Sequence, residues 1–96
     1  MSFAYSHHFE LLKNEAEELV LQELEAQLEE MGTEICRCND CVMDMAAMAL
    51  NAVKPMYRYS LMGKLYASQP DMAYVESVHQ AVEHAVEKVS SNPSHQ

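Results

Sequence analysis

Three cysteines fall within six residues, Cys36-Arg37-Cys38-Asn39-Asp40-Cys41, and the chain has no other. The spacing C-x-C-x-x-C brings three thiols within reach of one atom, and a helical pattern starts directly behind it. Clustered thiolates favour a tetrahedral soft cation, Zn²⁺ first, with one further donor from elsewhere in the chain. An odd cysteine number at so tight a spacing is a poor disulfide framework, and points to a reduced, cytoplasmic setting. The 96 residues make a single domain, 1–96, with a modest core and flexible ends at 1–5 and 91–96. A body this small gains from a metal staple or a partner subunit.

Hydrophobic periodicity predicts an all-α domain of three main helices with short extra elements. The first helix is expected from about Ser6 to Met31, with Phe9, Leu12, Ala16, Leu19, Val20, Leu24, Leu28 and Met31 on one stripe and Gly32 as the stop. Asn39 is the expected N-cap of a second helix, Asp40 to Val53, which buries Val42, Met45, Ala46, Ala49, Leu50 and Val53 and ends at Pro55. Residues 56–68 are open to a short strand pair or a broken helical turn around Gly63, with irregular or short helical structure preferred. A last helix is expected from Ser68-Gln69-Pro70-Asp71, with Ser68 and Asp71 imitating a capping box. Its stripe Met72, Val75, Val78, Val82, Ala85, Val86 and Val89 is close to heptad spacing and suits another helix, including one from a second subunit.

The net charge of −9 is unevenly spread: −8 over residues 1–35, +2 over 36–64 and −3 over 65–96. Two acidic flanks disfavour duplex nucleic acid as a direct ligand. Acids on a long helix are first a solvated face. The middle segment collects Arg37, Lys54, Arg58 and Lys64, enough to attract a small anion. No run is long and apolar enough to span a membrane, and the N-terminus lacks the basic and apolar regions of a secretory signal.

For the fourth metal donor His95 in the tail is the first choice and His84 the second; Asp40 is close in sequence but is expected to point outward. Cu(I) is a competing cation because Met43, Met45 and Met48 follow the thiols, although helical spacing makes Met45 and Met48 core residues first. Iron–sulfur clusters normally take four cysteines. Three thiolates make a poor Lewis acid, so the site reads as structural. No nucleophile–base pair, phosphate loop or paired-carboxylate motif indicates an enzyme.

The segment Cys36–Ser60 resembles the late competence development protein family ComFB. The residues that carry the resemblance are the C-x-C-x-x-C start, then Ala49-Leu50-Asn51 followed after three residues by Pro55-Met56-Tyr57. It covers most of the chain in outline and about 25 residues in detail. The resemblance implies a small helical, zinc-binding, non-enzymatic homodimer associated with competence, type IV pili or motility. Some relatives complete the zinc site with a cysteine after a tail proline, where this chain has His95 after Pro93. Some relatives are receptors for cyclic dinucleotide second messengers, cyclic di-GMP being favoured here. Such a ligand wants cations for its phosphates and flat faces for its bases, which Lys54, Arg58 and Lys64 interleaved with Tyr57 and Tyr59 supply. Two other functions remain open: a structural adaptor of competence or pilus machinery that docks an unidentified protein partner, and a thiol-based redox or copper sensor.

Overall fold

Asn14 sets where the first long helix begins. Its Oδ1 accepts from the Ala16 N–H at 3.1 Å and from the Met56 N–H at 2.8 Å. One short side chain thus satisfies an orphan donor at the helix start and pins a distant segment beside it. The computed structural model describes residues 3–60 and 71–93. In it α1 spans Ala16–Glu30, α2 Asn39–Ala52 and α3 Met72–Ser91.

The expected start of the first helix at Ser6 is corrected to Ala16. The residues ahead form two 3-10 turns, Phe3–Ser6 and Phe9–Leu11, and strand β1, Lys13–Asn14. β1 pairs antiparallel with β2, Tyr57–Arg58, with Lys13 opposite Arg58 and Asn14 opposite Tyr57. The Glu15 N–H also donates to the Met56 carbonyl at 2.8 Å. Long-range backbone pairing overrides a local helical pattern here, because Phe9 and Leu12 find no core to enter and stay 49% and 44% exposed. The same ribbon corrects the expectation of irregular or helical structure at residues 57–58; residues 61–70 lie outside the description.

Two helix caps differ from the sequence reading. Cys38, not Asn39, caps α2, its Sγ accepting from the Cys41 N–H at 3.4 Å. Asp71 caps α3 through Oδ1, which accepts from the Tyr74 N–H at 2.8 Å. The expected box partner Ser68, with Pro70, lies outside the described residues. Val53 is extended and Pro55 follows it, so α2 stops where expected.

α2 packs mainly against α3, and α1 leans on both. The core joins Ala16, Val20, Leu24 and Leu28 of α1 to Cys41, Met45, Ala46 and Ala49 of α2, and to Val78, Val82, Ala85, Val86 and Val89 of α3. Ala46 and Ala49 face the contact as small residues should where two helix backbones approach. Met72 and Val75, at the other end of the heptad-like stripe, stay exposed. Among the described residues no helix is long and apolar enough to cross a membrane.

A polar bridge joins α1 to α3. Gln27 Nε2 donates to Glu23 Oε2 at 2.7 Å and to the His79 carbonyl at 3.1 Å, and His79 Nδ1 lies 2.8 Å from Glu23 Oε2. The bond from Gln27, then that from His79, holds the Glu23 carboxyl below its ordinary value, while Glu23 raises His79. The lowered Glu23 stabilises above its unfolded value near 4.5 and loses this as pH falls; the raised His79 stabilises below its unfolded value near 6.5 and loses this as pH rises through the folded value. The bridge therefore contributes most between those values. His79→Gln should show a melting deficit against the native chain that is larger at pH 6 than at pH 9, and small throughout because His79 is half exposed. A deficit that grows toward pH 9 would contradict the pairing.

Candidate metal centre

The turn after α1 is made at Gly32, whose φ of +76° is left-handed backbone that glycine adopts without cost. Residues 33–38 then return the chain to the start of α2, with Ile35 and Cys36 half buried against the core. Cys38 sits at the N-cap and Cys41 on the first turn of α2, so the helix start brings the two sulfurs together. The sulfurs of Cys36, Cys38 and Cys41 all lie within 4.8 Å of one another.

These three thiols differ electrostatically. The Cys41 N–H aimed at Cys38 Sγ holds that thiol below its usual value, a hydrogen bond that favours thiolate. Burial pushes the Cys41 thiol up to about 12, and the nearby sulfurs of Cys38 and Cys36 add to the rise. Cys41 is 1% exposed within the core, where a lone thiolate is costly. Three sulfurs so close cannot all ionise unless a cation shares the charge. The donor chemistry fits a soft divalent ion: Cys36, Cys38 and Cys41 would hold it, and the ion would staple the end of α1 to the starts of α2 and the core. A metal ion held there would contribute folding free energy.

His84, the second choice for a fourth donor, is exposed on α3 and lines a hollow with Asp44, Met48 and Lys88; it is not among the donors grouped with the thiols. His95, the first choice, lies outside the described residues, as does Lys64. Met45 is fully buried in the core, and Met43 and Met48 are exposed, so Met45 acts as packing.

The residues expected to meet an anion are brought partly together. Tyr57 and Arg58 form β2, Tyr59 follows, and Lys54 stands in the turn before them; Tyr57, Tyr59 and Lys54 are exposed and Arg58 is half buried. Arg58 Nη1 donates to the Tyr57 carbonyl at 2.8 Å. The Tyr74 hydroxyl donates to the Lys54 carbonyl at 2.6 Å and so fixes this turn to α3.

Residues absent from the sequence reading join them. Lys13 lies directly across the ladder from Arg58, so two cations share this end of the ribbon. Tyr59 closes a hollow of about 460 Å³ with Ser6, His7, His8, Phe9 and Leu12. The rings of Phe3, His7 and Phe9 cluster beside it, with centroids 4.1 to 6.1 Å apart. Aromatic residues crowding the first nine positions were the available signal, but the helical pattern concealed it.

Among the described residues, three helices, a two-stranded ribbon and a convergent thiol trio define a small helical domain built around a candidate soft-metal centre. The chain belongs to the late competence development protein family ComFB, whose family model matches residues 13–93. Among solved structures it is similar to the late competence protein ComFB from Bacillus subtilis, at 24% identity, over 86% of this chain and 94% of that one, with a TM-score of 0.59. At that identity the likeness is one of fold. Among curated protein sequences nothing matches the chain.

Proposed function

We propose that this chain is a non-enzymatic, zinc-stapled regulatory protein that works as a homodimer and binds a cyclic dinucleotide, cyclic di-GMP in the first place, in the control of competence, pili or motility. The convergence of Cys36, Cys38 and Cys41 within 4.8 Å carries the metal part of this reading, with His95 as the proposed fourth donor. Three thiols at one point, none of them in a disulfide, call for a reducing compartment, hence a cytoplasmic protein.

Two features support the dimer. The Cα radius of gyration is 15.8 Å, against roughly 12–13 Å for a compact domain of this length. Large apolar side chains outside the core, among them Leu21, Met72 and Val75, are half exposed or more.

The ligand part rests on the family membership together with Arg58, Lys13 and Lys54 near Tyr57, Tyr59 and the aromatic hollow, which offers phosphate partners and stacking faces close together. Calorimetry on the zinc-loaded chain tests it with cyclic di-GMP and cyclic di-AMP. Binding is expected, and Arg58→Ala should weaken it by about 10–150-fold, a charge-assisted contact being worth roughly 1.5–3 kcal/mol. No heat with either dinucleotide rejects the receptor reading. Native-like binding by Arg58→Ala moves the site elsewhere.

The adaptor reading has its own support in α1, whose exposed Glu17, Glu18, Glu25, Glu29 and Glu30 flank the open Leu21. It expects a tight dimer that ignores dinucleotides and retains one specific protein partner.

A further inference from the structure

We propose that Arg37 is the positioning residue of the thiol centre: it holds the cysteine-bearing loop on the C-terminal end of α1, so that Cys36 and Cys38 meet Cys41 before a metal arrives. The proposal rests on the metal reading above and adds to it a residue that is not a ligand. Arg37 Nη2 donates to the carbonyls of Leu28 and Gly32. Leu28 lies in the last turn of α1, where its carbonyl also accepts from the Met31 N–H at 3.3 Å, and Gly32 lies just beyond the C-cap.

That helix end is electrostatically unfavourable without help. α1 closes on Glu29 and Glu30 and has no basic residue in its last turn, so two carboxylates sit on the negative end of the helix dipole. Arg37 supplies from the loop the cation that the helix lacks. The sulfurs of Cys36 and Cys38 converge with that of Cys41, while Arg37 between them reaches back to α1. The loop is held at both ends, by the guanidinium on α1 and by Cys38 capping α2 through Sγ. Two carbonyls in one grip suit a planar, multi-donor guanidinium; an ammonium on a flexible stem would hold them less firmly. Without this anchor the loop must be ordered at the moment of metal binding, and affinity falls accordingly.

The test compares zinc affinity, measured by competition with a chromophoric chelator, with thermal stability in full-length variants. Arg37→Met, which keeps the stem and loses the donors, should bind zinc about 10–100-fold more weakly. Arg37→Lys should fall in between. Val82→Ala, in the core on α3, supplies a comparison: it should melt lower yet lose clearly less zinc affinity than Arg37→Met. Zinc binding by Arg37→Met within about threefold of the native chain overturns the proposal, as does an equal affinity loss in Val82→Ala. A native chain that takes up no zinc removes the metal reading and this proposal together, whereas zinc uptake that ignores Arg37 removes this proposal alone.

Discussion

Stripping the metal with a strong chelator, or replacing Cys38 with Ser, is expected to lower the melting temperature by more than about 20 °C or to abolish the cooperative transition. Structural zinc contributes directly to folding in small domains, and each kcal/mol is worth about 4–8 °C in a domain of this size. The location of the site makes the effect large. Cys41 is a core residue at 1% exposure, so the centre is continuous with the packing of α2. Removing the ion leaves three sulfurs within 4.8 Å of one another, one of them with its thiol pushed up to about 12 by burial. Cys38→Ser would remove a metal donor while leaving a hydroxyl able to cap α2, so the loss reports on the metal and not on the cap. Elemental analysis of freshly purified protein should give zinc in about 1:1 ratio to the chain, as a single closed tetrahedral site requires. Melting unchanged by chelator, with no stoichiometric metal, would remove the metal centre from the account.

Met45→Ala is expected to cost about 2–5 kcal/mol, the range for emptying a buried Met site, and so to lower the melting temperature by roughly 8–40 °C. Among the described residues Met45 is the largest fully buried side chain, one helical turn beyond Cys41 and within the core that α1, α2 and α3 share. Its loss would open a cavity directly beneath the thiol centre. Met45→Leu nearly conserves volume and should cost less than about 1.5 kcal/mol. The pair also separates packing from ligation. If Met45 served as a thioether ligand for Cu(I), Met45→Leu would lose metal while keeping stability. Unchanged metal uptake in Met45→Leu, measured beside the melts, is the expected result.

Much of the architecture is legible in local sequence. The valine and alanine positions of α3 and the buried face of α2 follow from helical spacing, since each pattern is longer than the interactions that perturb it. Pro55 ends α2 for a reason internal to its own backbone. The thiol trio is legible for the same reason: six adjacent residues and a helix start suffice to bring three sulfurs together. The first helix shows the opposite case. Ser6 to Glu15 carries a helical stripe, yet Phe9 and Leu12 lie beyond the reach of the core, and the backbone pairs with residues 56–58 instead. Asn14 accomplishes that through an amide oxygen shared between two distant N–H groups, which no periodicity records.

The same division governs the site. Residue types and spacing were enough to establish that this chain carries three soft donors at one point, that helices dominate it, and that cations and tyrosines gather in its middle. Those properties are local, written over a few turns of chain. Folding in three dimensions alone decided that Arg37 grips the end of α1, that Lys13 faces Arg58, that His7 and Phe9 border Tyr59, and that Gln27 bridges α1 to α3. Each of these joins groups far apart along the chain or on different elements, and their energy exists only after the helices have docked.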